Sequence, residues 1–221
     1  MTYTYRDVIY IVLDELKQFT TTIPFEEEHI AYLLTISRAV IIKQKYSNGK
    51  VEIPPEVIQK VPFKLIKTGD IITSNKSFDV INLNGSHLFY SVEIPQVPNV
   101  ELTQTTVNRF KYLNINKWLS NIAYYTINEM GKLIFKVPNS ITSLFTNSYT
   151  EIDAYYNTIL EDPRKIFPYD ENYLDRDFAI NGDLLRVIID LTLADLYKHI
   201  HLPEDTINNG KNDLTAQPQQ K

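Results

Sequence analysis

The chain has 221 residues, 43% of them hydrophobic and 22% charged. That is enough apolar material for one good core and excludes a disordered or fibrous chain. Its 22 Lys and Arg against 27 Asp and Glu leave a net charge of −5, which argues against a dedicated phosphate-binding surface. The absence of cysteine removes disulfides, thiolate metal sites and thiol nucleophiles together.

The start, Met1-Thr2-Tyr3-Thr4-Tyr5-Arg6-Asp7, has neither the basic residues nor the apolar run of a signal peptide. No apolar stretch approaches the ~18 residues of a membrane span. A protein made and used in solution is expected. Val8, Ile9, Val12, Leu13, Leu16 and Phe19 recur at the helical period, and Thr4 with Asp7 forms a capping pair. The threonines Thr20, Thr21 and Thr22 stop that helix, and Pro24 with Glu26, Glu27 and Glu28 opens a second one, its carboxylates at the positive end of the dipole. Ile30, Leu33, Leu34, Ser37, Val40 and Ile41 form the stripe of this helix, Lys43 and Lys45 suit its C-terminal end, and Asn48-Gly49 breaks it. An antiparallel helical hairpin over 4–46 follows.

After Pro54-Pro55 the period changes, and short β-rich runs occur at 78–83, 87–94, 122–128 and 133–137. The clearest hairpin joins 122–127 to 133–137 through Asn128-Glu129-Met130-Gly131-Lys132, with glycine where a positive φ is wanted. Residues 151–160 read as another strand, stopped by Glu161-Asp162-Pro163. Asn181-Gly182-Asp183 then caps a helix over about 184–201, in which Arg186, Asp190, Thr192, Asp195 and Lys198 are spread around the wheel among apolar residues. No single wet face is expected, so Leu185, Ile188, Leu191 and Leu196 become candidates for a surface that is both core and assembly interface. The fold class expected is α+β: the hairpin and the long C-terminal helix packed with a small antiparallel β insertion over about 61–181. One domain spans 1–203, and a polar tail over 204–221 extends from it, with Pro203, Asn208, Asn209 and Leu214 as further interface candidates.

Catalytic chemistry lacks a positive signal. His199 and His201, two apart at a helix end, do not share a face. The acids Glu151, Asp153, Glu161 and Asp162, beside Arg164 and Lys165, read as turn chemistry and solvated charge before they read as a divalent-metal cluster. Isolated glycines build neither a dinucleotide turn nor a phosphate loop, and no serine sits in a nucleophile elbow. No catalytic residue, metal or cofactor is therefore expected. Tyr124-Tyr125, Tyr155-Tyr156, Tyr169 and Tyr173 could stack on single strands or sugars, but core and subunit-interface packing suits their amphipathic rings better.

At Glu161-Asp162-Pro163, and again at Pro203-Glu204-Asp205 with Asn208-Asn209-Gly210 and Asp213, the chain resembles tailed-phage virion proteins, especially the connector or ring proteins of crAss-like phages. The order of elements is similar across nearly the whole chain, including the segment Ala39-Val40-Ile41-Ile42-Lys43-Gln44-Lys45-Tyr46. The resemblance implies a virion structural protein without enzymatic activity. It implies a head-to-tail adaptor that forms a ring, dodecameric by expectation, below the portal and against further neck or tail ring proteins. Such a ring lines or continues the channel through which DNA passes, touches no membrane, and is assembled in the host cytoplasm. A more distal neck or tail ring, or a phage DNA-processing or DNA-binding factor, are the alternatives.

Overall fold

The computed structural model describes residues 3–19, 24–48, 50–69, 71–83, 91–113, 122–146, 150–166 and 172–200. The first helix, α1 (Tyr5–Lys17), begins at the expected capping box: the Thr4 hydroxyl accepts from the Asp7 N–H, and the Asp7 carboxylate accepts from the Thr4 N–H. The Thr4 N–H at 2.9 Å and the Thr4 hydroxyl at 2.8 Å both donate to the Asp7 carboxylate and hold it below its usual pKa. The second, α2 (Glu27–Tyr46), carries Glu27 and Glu28 in its first turn and Lys43 and Lys45 in its last. The strands β1 (Gln59–Thr68), β2 (Ile71–Ser77), β3 (Ser91–Glu93) and β4 (Glu101–Gln104) follow, then α3 (Val107–Tyr112), β5 (Ile122–Ile127), β6 (Lys132–Lys136), the short α4 (Asn139–Thr142), β7 (Glu151–Thr158) and α5 (Gly182–Ile200).

The seven strands form one sheet in the order β3-β7-β1-β2-β6-β5-β4. All neighbours are antiparallel except β4 and β5, which run parallel and are joined through α3. The edge strands β3 and β4 lie against one another, so the sheet curls almost into a barrel. Its interior is filled by side chains. Phe63 packs edge-on to Phe78 at 5.5 Å, Phe78 meets Tyr156 at 5.2 Å, and Tyr125 lies 5.9 Å from Phe135.

This overturns the expected architecture of a helical hairpin and long C-terminal helix around a small antiparallel β insertion. The sheet is mixed, has seven strands and owns a hydrophobic core, built on Val61, Leu65, Ile72, Leu133 and Ile152, separate from the core of the helices. No helix dominates, since α2 has 20 residues and α5 has 19, and the most extensive helix packing is α2 on α5 rather than α1 on α2. Small side chains bring those two together: the Thr192 hydroxyl sits 3.1 Å from that of Ser37. The missing strands have identifiable disguises. β1 alternates buried Val61, Phe63 and Leu65 with Lys60, Pro62 and Lys64, but its proline argues against a strand. The Lys64 N–H points to the β2 side, donating to Asn75 Oδ1 at 2.9 Å. Pro62 shares that parity, and β2 pairs with β1 only from Leu65 onward, so its missing N–H interrupts no ladder bond.

β2 is polar where a strand would be apolar. Its register shifts between Thr73 and Ser77, and buried Ser74 fills the irregularity, accepting from the Leu133 N–H at 3.0 Å and donating to the Lys76 carbonyl at 2.6 Å. The run at 78–83 is not a strand but makes a single bridge, Val80 to Leu160, and of 87–94 only 91–93 pairs, while 84–90 lie outside the described residues. The hairpin from β5 to β6 forms as expected, with Gly131 at φ +73°. β7 also forms as expected.

Candidate assembly surface

The junction between the helices and the sheet is organised around the end of β7. Arg38, on α2, is wholly buried. Its Nε donates to the Ala179 carbonyl at 2.7 Å and its Nη1 to the Leu160 carbonyl at 2.9 Å. The Leu160 N–H in turn donates to Gln59 Oε1 at 2.8 Å. One cation thus ties α2, the exit of β7 and the segment before α5 to a single point. Burial lowers the Arg38 pKa to about 10, with the nearby Tyr5 and Asp162 opposing the shift, so the side chain stays charged at neutral pH. Burial likewise pushes Tyr5 up to about 12, against the pull of Arg38. Arg38 is the residue the sequence reading missed. Its spacing from buried Leu34 and Ile42, four residues either way, was the available signal.

The Glu161-Asp162-Pro163 segment runs on beside α2. Lys43 Nζ donates to Glu161 at 2.7 Å, and the Arg164 guanidinium lies 5.8 Å from the Tyr32 ring and 5.7 Å from that of Tyr173. Arg164 grips Asp162 through both its Nε and Nη2, at 2.9 and 3.0 Å. Burial works against the ionised Asp162, yet the bonds and charge of Arg164, helped by Lys165, outweigh it and hold its pKa below 3.8. The remaining acids diverge: Glu151 pairs with Lys64 at 2.7 Å across β7 and β1. Among the described residues no group of three or more His, Asp or Glu side chains is placed to hold a metal. A groove of about 630 Å³ opens beside this junction, its lining including Glu56, Lys60, Asp177 and Ala179.

On α5 the structure places Leu185, Ile188 and Leu196 inside the subunit's own helical core, with Leu191 half-buried. Contrary to the expectation of no wet face, this helix has one: Asp183, Arg186, Val187, Asp190, Ala194 and Lys198 are exposed. Arg186 pairs there with Glu15 of α1 and, at 2.9 Å, with Asp190. Pro203, Asn208, Asn209, Leu214, His201 and Tyr169 lie outside the described residues. His199 lies at the end of α5, its ring 6.4 Å from that of His29. Tyr125 and Tyr156 are in the sheet core, while Tyr124 and Tyr155 are half-buried.

The exposed face of α2 is the unexpected one. Tyr32, Ile36 and Val40 stand four apart on a helix whose other sides are buried, and they are 51%, 40% and 37% exposed. Among the described residues they are the only three exposed large apolar side chains at that spacing on one helix. Val40 had been expected in the buried stripe.

A folded subunit with two separate cores, a structural cation at their junction and a solvent-facing apolar row has the build of an assembly component. Comparison with known proteins identifies the class as phage tail ring proteins. Residues 7–214 match the family described as phage tail ring protein 2, and the chain belongs to that family. It is also 27% identical over 230 residues to Ring protein 2 of Bacteroides phage crAss001, covering 96% of this chain and 98% of that protein. The family expected from the sequence is thereby established, and with it a virion ring structural protein. Among the described residues no helix is long and apolar enough to cross a membrane.

Proposed function

We propose that this ring subunit is a non-enzymatic head-to-tail adaptor, assembled in the host cytoplasm into a closed ring below the portal, where it lines or continues the DNA channel. The observation that carries the reading is the family match over residues 7–214. The net charge of −5 supports it, because a channel wall that holds few phosphates lets DNA slide instead of retaining it. Twelve copies, the portal on one side and further neck or tail rings on the other complete the proposal. The family's description as a tail ring favours a second reading, in which the same ring sits further from the portal.

The tail over 204–221 is proposed as a docking arm, with Pro203, Asn208, Asn209 and Leu214 as its contact points. Its polar composition gives it little core of its own, and tethering within a ring multiplies a weak contact through effective concentration. Truncation after Pro203 tests both parts. The adaptor reading expects a folded protein that no longer co-sediments with portal rings. Undiminished portal binding refutes the arm, and failure of the full chain to bind portal favours the distal position.

A further inference from the structure

We infer that the exposed row of α2, Tyr32, Ile36 and Val40, is the seat for a second copy of this chain, which presents the outer face of α5 around Val187, Leu191 and Ala194. The inference rests on the proposed self-assembly into a ring and names the surfaces that make it.

A closed ring needs a head-to-tail interface, in which two different patches of one subunit meet. Both patches must be outside the subunit's own core, which removes Leu185, Ile188 and Leu196 as direct contacts. What the helical layer leaves outside is two rows. On α2 it is Tyr32, Ile36 and Val40, four apart; on α5, 46%-exposed Val187, half-buried Leu191 and exposed Ala194 follow one another four and three apart and so share a helix face. The rows run over 32–40 and 187–194, so they are nearly equal in length. Because α2 and α5 pack on one another within a subunit, their outer rows point in different directions, as successive copies around an axis require.

The charges select the orientation. α2 begins with Glu27 and Glu28 and ends with Lys43 and Lys45, while the exposed face of α5 begins with Asp183 and ends with Lys198; Arg186 and Asp190 between them pair with one another, and Lys43 already holds Glu161 of its own subunit. Antiparallel docking sets Lys45, beside Lys43, against Asp183 of α5 and the glutamates of α2 against Lys198. Parallel docking opposes like charges at both ends. The α2 row is also large at one end and small at the other, from tyrosine to valine. The facing α5 row, read antiparallel, runs from alanine to valine, so bulk meets a small side chain opposite Tyr32 and the two valines meet at the far end. The Glu161 to Arg164 segment walls one flank of the row through Lys43 and Tyr32.

The cysteine-free chain allows a clean test. Val40→Cys and Val187→Cys variants are mixed under mild oxidation and read on non-reducing gels, beside native mass spectrometry of the wild type. The expected result is a disulfide-linked dimer from the mixture and from neither variant alone. Ile36→Glu should abolish higher oligomers while keeping its circular dichroism, and Met130→Glu, at an exposed apolar residue on the far hairpin, should not. Dimers of Val40→Cys alone show a two-fold contact and overturn the inference. So does a wild type that assembles while Ile36→Glu assembles equally well, or a photo-crosslinker at Ile36 that captures residues 201–221 or a different protein. A wild type that stays monomeric at every concentration contradicts self-assembly itself, the reading beneath.

Discussion

Removing the cation at Arg38 separates two opposing effects whose sizes follow from the geometry. Its two hydrogen bonds, 2.7 and 2.9 Å to main-chain carbonyls, are charge-assisted and worth about 1.5–3 kcal/mol each. Against them stands the cost of holding the guanidinium dry. The fall of its pKa from 12.5 to about 10 corresponds to about 3 kcal/mol against the charged form. Arg38→Met keeps most of the volume, loses the bonds and recovers that cost, which leaves a net destabilisation of about 0–3 kcal/mol. Arg38→Ala also loses the packing of the side-chain stem and should cost about 2–5 kcal/mol. For a chain of this length each kcal/mol moves the thermal midpoint by roughly 2–4 °C, so calorimetry should rank wild type above Arg38→Met and Arg38→Met above Arg38→Ala. An Arg38→Met protein more stable than wild type by over about 1 kcal/mol would show the buried charge to be a net liability, as occurs with some buried ion pairs. It would refute the view that Arg38 fastens helices to sheet.

The same burial analysis ranks α5. Ile188→Ala should cost about 2–5 kcal/mol in urea denaturation and half-buried Leu191→Ala distinctly less; equal losses would place Leu191 in the core. Gly131→Ala puts a Cβ 3.2 Å from the Phe78 carbonyl at a positive φ, and should lower stability by more than about 1 kcal/mol. Gly69→Asn, at φ +61° with open space around it, should be nearly neutral, and the reverse order would contradict the turn geometry. Asp162 is held below its ordinary 3.8 by Arg164. Its stabilisation is fully present above about pH 4 and lost as pH falls through the lower native value. Thermal midpoints of wild type and Asp162→Asn should therefore differ at neutral pH and converge in acid; a constant gap would remove Asp162 as the titrating group.

The helices were legible because their determinants are local. Thr4 and Asp7 cap α1, glutamates and lysines bracket α2, and Asn181 caps the start of α5, where its side chain accepts from the Asp183 N–H at 3.1 Å. The hairpin of β5 and β6 was legible for the same reason, a glycine required by its turn. What failed is non-local. The acceptability of Pro62 in β1 depends on where β2 begins pairing, and polar β2 is held by a serine that fits a bulge. The four-residue β4 depends on a parallel partner reached through α3. Periodicity identifies apolar rows without saying which row neighbouring elements cover. Leu185, Ile188 and Leu196 are covered by the subunit itself, whereas Tyr32, Ile36 and Val40 are left outside. Arg38 was passed over because a charged side chain in an apolar helix is ordinarily on its wet side, and its carbonyl partners come from residues 122 and 141 positions away.

Localised cryo-electron microscopy of the portal-to-tail axis in purified virions bears most directly on the central claim, that this chain is a ring subunit of the particle. The account expects a closed ring of copies coaxial with the DNA, into which the seven-stranded sheet and its three main helices fit as one subunit. Virions that lack the protein, or that carry it as scattered copies off the axis, would contradict it.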